Sequence, residues 1–174
     1  MTITQIKHRL ALSMNGICAE KLRNSSLGYS KTLGVDWVRI CEIATEFDRD
    51  YDISVQLWNS EVREHKLIAT LLCPLDVMDS VRLRQWMKGV SNTELAEIIS
   101  FALLSKIPSL IPDLLAMEDS QNELERLTAY LALGRFHNFT NLMDDGMLNM
   151  ARKGIKIEDR SKSSFFHAIY SLEQ

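Results

Sequence analysis

Ile40-Cys41-Glu42-Ile43-Ala44, Leu57-Trp58-Asn59-Ser60 and Glu64-His65-Lys66-Leu67-Ile68-Ala69-Thr70-Leu71-Leu72 are the stretches from which the fold is read. In the last, Leu67, Ile68, Leu71 and Leu72 share one face at helical spacing. Pro74 then closes the segment, because proline cannot continue a helix. Upstream, Ile40, Ile43, Ala44 and Phe47 form a similar stripe, and Ile53, Val55, Leu57 and Trp58 lie in a short one between the two. Nearer the N-terminus, Ile6, Leu10, Ala11, Met14 and Ile17 repeat the pattern. Strict alternation, the mark of a half-buried strand, fits these segments less well.

Working outward, Ser91-Asn92-Thr93-Glu94 and Ser120-Gln121-Asn122-Glu123 read as capping boxes. Gly89 and Gly154 suit positions just past a helix end. The pattern predicts helices over 2–24, 36–47, 50–59, 61–72, 79–88, 92–106, 109–117, 121–136 and 138–152, with a last one near 160–172. Short connections make consecutive helices antiparallel neighbours. A pair every ~35–45 residues is the signature of a helical-repeat solenoid, an α-α superhelix. A compact helical bundle is the competing all-α arrangement. The 174 residues fit a single domain, 1–174, with enough chain to bury a core.

Composition narrows the function classes. Apolar residues make up 46% and charged residues 25%, the balance of a globular chain rather than a disordered one. No apolar run reaches the ~18 residues that span a bilayer. The start of the chain lacks the order of a signal peptide, so a cytoplasmic location and no membrane partner are expected. Cys18, Cys41 and Cys73 are odd in number and far apart, which predicts buried or half-buried thiols rather than disulfides or a zinc site. His8, His65, His137 and His167 likewise show no ligand spacing, so no metal is expected. Net charge is −3. Residues 1–47 carry six Lys/Arg against four Asp/Glu, whereas 90–128 carry two against seven. With no strongly basic block, contact with nucleic acid would need a patch assembled by folding.

The 92–106 segment is the most informative for function. Leu95, Ile98, Ile99, Ala102 and Leu103 form one stripe, and Phe101 and Leu104 widen it, so the helix should be gripped on two sides. Thr93 and Glu97, four apart, lie together on the opposite side and face a groove or solvent. Trp58 reads as core, whereas Trp37 and Trp86, near helix ends, read as amphipathic surface covers.

Lys31-Thr32-Leu33-Gly34-Val35 and the three opening stretches together resemble the DNA alkylation repair family, the HEAT-like-repeat glycosylases of alkylated purines. The resemblance implies a curved solenoid whose concave face holds duplex DNA, working without metal or organic cofactor. A carboxylate near the sugar would stabilise the positive charge built as the glycosidic bond breaks. Aromatic faces would attract the cationic base, and an arginine would hold a phosphate. Carried over, the carboxylate role falls on Glu97, where the family has an aspartate, and the phosphate role on Arg126. Thr93 stands where the family has an aromatic residue, Glu123 replaces another, and a second tryptophan falls on Ser171, beside Tyr170. For Arg126 the alternative is an intrahelical partner, Asn122 or Glu123. Lys31, with Lys21 and Arg23, and Lys153, Lys156, Arg160 and Lys162 are candidates for DNA contacts at the rims of a groove. Two functions follow: a DNA-binding protein of alkylation-repair type, including a glycosylase with an altered active site, or a non-catalytic scaffold holding a protein partner on its concave face.

Overall fold

A computed structural model describes residues 2–140 and 142–174. Among these residues there are helices and no strand. The only extended pairing is an isolated parallel bridge between Lys31 and Val62. The all-α expectation therefore holds. The chain divides into two compact units, Met1–Val77 and Met78–Gln174. Among the described residues no single helix is long and apolar enough to cross a membrane.

The first unit contains α1 (Ile3–Leu12), α2 (Gly16–Arg23), α3 (Trp37–Ala44), α4 (Tyr51–Trp58) and α5 (Arg63–Leu72). Where periodicity predicts one helix over 2–24 there are two. Asn15 makes the break: its side chain caps α2 by accepting from the Cys18 N–H at 3.1 Å, and its own N–H donates to the Leu33 carbonyl at 2.9 Å. A side chain that satisfies backbone groups in a non-helical conformation competes with helix continuation. The exposed Cys18 departs from the expectation of covered thiols, because α2 buries only Ala19.

Glu64 organises this unit. Fully buried, its carboxylate accepts from Thr32 Oγ1 at 2.8 Å and from the N–H groups of Leu33, Gly34 and Val35 at 2.8, 3.0 and 3.3 Å. Arg63 donates to the same carboxylate at 3.0 Å and to the Val35 carbonyl at 3.0 Å. The 31–35 loop is thus fastened to α5 by charge-assisted bonds. Gly34 has φ +72°, and a Cβ there would stand 2.2 Å from the Asn15 carbonyl oxygen, so only glycine fits. Trp58, Leu57, Leu67, Ile68, Ile40 and Ile43 fill the core as expected.

The second unit contains α6 (Ser80–Met87), α7 (Thr93–Ala102), α8 (Ile111–Met117), α9 (Glu123–Thr140), α10 (Asp145–Gly154), α11 (Ile157–Arg160) and α12 (Phe166–Glu173). Helix α9 is its axis and packs against α7, α8, α10 and α12. The boundary predicted at 136–138 is displaced: α9 runs on to Thr140, and Asp144 caps α10 by accepting from the Met147 N–H at 2.7 Å. Part of the predicted 138–152 helix, Asn141, lies outside the described residues. Asn92, rather than Ser91, caps α7. Trp86 is buried, not a surface cover, because it shares the inner face of α6 with Leu83 and Met87.

Candidate functional site

Helix α7 starts where the Asn92 side chain accepts from the Leu95 N–H at 3.0 Å. Leu95, Ala96, Ile99, Ser100 and Ala102 form its buried face. Ser100 is small enough to let α9 approach, and its Oγ lies 2.7 Å from the Ala96 carbonyl and 2.9 Å from that of Thr128 on α9. The outer face carries half-buried Thr93, exposed Glu97 one turn on, and Phe101 a further turn on. Phe101 is 50% exposed, so the two-sided grip expected for this helix is absent at that position. Leu104, in the 3-10 turn that follows, is fully buried.

Opposite Phe101, α9 presents Arg135 and Phe139. The Arg135 guanidinium sits 5.6 Å from the Phe101 ring centre and donates to the Leu131 carbonyl at 3.0 Å. Burial lowers its pKa, and the charge of Glu97 acts against that. Phe101, Ser105, Lys106, Arg135 and Phe139 line an open cleft of about 410 Å³, and Phe139 is 82% exposed. A guanidinium over one half-exposed aromatic ring shares this cleft with a second, exposed ring and a lysine, and a carboxylate lies within electrostatic reach. This set offers faces for planar, electron-rich rings and cations for phosphate.

The other residues singled out in the sequence lie elsewhere. Arg126 is buried on α9, and its guanidinium is committed to protein acceptors: Asp159 at 2.7 Å through two nitrogens, Glu158 at 3.0 Å and the Ser120 carbonyl at 2.9 Å. Its ion-pair partners come from α11, not from Asn122 or Glu123 within its own helix. Phosphate binding by Arg126 would require these bonds to be exchanged. Lys31 belongs to the first unit, where it is exposed and paired with Glu61 at 2.5 Å. Of the C-terminal cations, Lys162 holds Glu123 at 2.9 Å, Arg160 holds Glu173, and Lys156 donates to the Ser120 carbonyl at 3.0 Å. The Lys162 pair offsets one charge, Glu123, of the acidic middle segment. Ser171 packs on the backbone of α9 at Gly134, leaving no room there for an aromatic. The exposed aromatic pair of α12 is Phe166 and Tyr170, whose rings stack 6.1 Å apart.

Sequence reasoning missed Phe101, Arg135 and Phe139 as a group. The available signals were the i, i+4 spacing of Glu97 with Phe101 and of Arg135 with Phe139, but nothing local says that the two pairs face each other.

No protein-family model matches the chain, and no curated protein matches it. Among solved structures, it is similar to one from a new family of proteins related to the HEAT-like repeat DNA glycosylases with affinity for branched DNA structures. The two share 15% sequence identity with a TM-score of 0.77, covering 99% of this chain and 74% of the other. The fold is therefore the HEAT-like helical-repeat fold expected from the sequence. At that identity the likeness carries the fold and no residue's role.

Proposed function

We propose that this chain binds DNA, with a preference for branched or otherwise unstacked structures, through the Phe101–Arg135–Phe139 cleft of its second unit. The observation that carries the reading is the cleft itself: a half-exposed Phe101 ring under the Arg135 guanidinium, with the exposed Phe139 ring lining the same cleft. Paired duplex keeps its bases stacked, and a junction or fork exposes bases that such rings can cover. Every base has a π-face, so recognition of this kind is tolerant of sequence. The structurally similar protein family has affinity for branched DNA, which fits this chemistry.

A finer reading, hydrolysis of the N-glycosidic bond of alkylated purines with Glu97 as the catalytic carboxylate, draws on the position of Glu97 one turn from Phe101. Arg135 weighs against it. A guanidinium close enough to influence Glu97 offsets the negative charge that would stabilise a sugar cation.

Fluorescence anisotropy with a four-way junction, a fork and a linear duplex of the same sequence tests the proposal. Tighter binding to the branched DNAs, weakening as salt rises, is expected. No salt-sensitive binding to any of the three would reject DNA binding and leave the protein-scaffold reading. Incubation with 7-methylguanine duplex, using Glu97→Ala as control, separates binding from base release.

A further inference from the structure

Helices α8 and α10 of the second unit enclose a different cleft, of about 600 Å³, lined mainly by Ile111, Pro112, Leu115, Met147 and Met150. This is within the size range of small-molecule sites, and such sites pair apolar walls with a few placed polar groups. The buried polar group in this wall is Glu118, at the end of α8 and only 3% exposed. Its Oε1 is buried and has no hydrogen-bond partner. Oε2 rests on the backbone of α10, where a Cβ on Gly154 would stand 1.9 Å away. Absence of a side chain at Gly154 is what admits the carboxyl group. A buried carboxyl left unbonded is costly, and proteins retain few of them.

We propose that this cleft is a binding site for a small apolar primary amine, with its hydrocarbon body against Met147, Met150 and Leu115 and its ammonium group on Glu118. The groups facing Glu118 set the selectivity. Asp119 adjoins it, Tyr130 approaches from α9, and Lys153 stands exposed at the α10 rim. Arg126 and Lys156 are held on the Ser120 carbonyl at 2.9 and 3.0 Å, and Asp159, beside Tyr130, is paired with Arg126. An ammonium supplies the donor that the Glu118 Oε1 lacks. Burial, helped by Asp119, raises the Glu118 pKa to about 8, so the empty site holds a proton at neutral pH. Binding is then an exchange: the ammonium enters with its charge, the Glu118 carboxyl becomes carboxylate, and one proton leaves to solvent.

Isothermal titration calorimetry with 2-phenylethylamine, and with 2-phenylethanol as its uncharged counterpart, tests this independently of the DNA reading. The amine is expected to bind at least about tenfold more tightly than the alcohol. Its affinity should rise about tenfold per pH unit from pH 6 to pH 7.5 and level off above pH 8, with about one proton released. Glu118→Gln should erase the difference between amine and alcohol, and Met150→Ala, on an exposed wall residue, should weaken both several-fold. Equal binding of amine and alcohol, no binding of either, no proton release, or unchanged amine affinity in either variant would overturn the proposal.

Discussion

Arg126 and Asp159, 33 positions apart in sequence, form a bidentate ion pair inside the second unit, with both N···O distances 2.7 Å and both side chains almost fully buried. Burial pushes the Asp159 carboxyl up, but hydrogen bonds and charge from Arg126 and Lys162 outweigh it and hold the pKa below the ordinary aspartate value. Removing one partner leaves the other charged and buried. Arg126→Ala is expected to destabilise the second unit by about 3–5 kcal/mol. Arg126→Lys should recover only part of that, because a lysine cannot make the forked contact. Urea denaturation checks both. A loss confined to DNA affinity, with stability intact, would show that Arg126 acts instead as a ligand contact.

Gly134 and Ser171 bring α9 and α12 into backbone contact. A Cβ at Gly134 would lie 2.0 Å from Ser171 Oγ and 3.0 Å from its Cβ. Gly134→Ala should therefore cost about 1–3 kcal/mol through overpacking, despite alanine's better helix propensity. Adding Ser171→Ala removes the nearer clash and should restore part of the loss, seen as a non-additive thermal-unfolding cycle. A fully stable Gly134→Ala protein would mean that α12 is free to move away.

How far the sequence was legible follows from these contacts. The first unit could be read because its signals are local or repeat within one turn: the Leu67–Leu72 stripe, the Trp58 core position, the stop at Pro74. Even there, the role of Glu64 depends on a loop 30 residues earlier. In the second unit the decisive pairings are long-range. Arg126 offered Asn122 and Glu123 as neighbours in sequence, and only the packing of α11 against α9 supplies Asp159. Phe101 reads as core by its spacing, yet α9 meets it with the Arg135 guanidinium rather than an apolar side chain and leaves the ring half exposed. Hydrophobic periodicity records which residues can be buried. It does not record which neighbour arrives.

His65 and Glu118 should give the two units opposite pH dependence. Burial, aided by the charge of Lys7 and opposed by Glu64, lowers the His65 pKa to about 4. The unfolded chain takes up a proton at His65 below about pH 6.5 and the folded one does not. The first unit therefore loses stability as pH falls from about 6.5 to 4. Glu118 keeps its proton in the folded state to about pH 8, whereas the unfolded chain releases it near 4.5. Stability of the second unit falls as pH rises through that window, with a slope of at most about 1.4 kcal/mol per pH unit. His65→Asn should flatten the acid arm and Glu118→Gln the alkaline arm. Urea midpoints at pH 5, 6.5 and 8 measure both effects, and unchanged profiles would show that neither group is desolvated in solution.

The DNA reading divides into two kinds of contact that substitutions can separate. Phe101 and Phe139 would act by stacking, which carries no charge. Phe101→Ala or Phe139→Ala is therefore expected to weaken junction binding by about 1–3 kcal/mol and leave the salt dependence alone. Phe139 is largely and Phe101 half exposed, so truncation should cost folding little at Phe139 and modestly at Phe101. Lys106, at the edge of the same cleft, would act on phosphate. Lys106→Ala should lower affinity for branched and linear DNA alike and reduce the slope of log K against log salt by about 0.7–0.9. Arg135→Ala should do both, because its guanidinium lies over the Phe101 ring and also carries charge. Anisotropy titrations from 50 to 200 mM salt resolve the two effects. Junction binding that survives loss of both rings undiminished would move the interface away from α7 and α9.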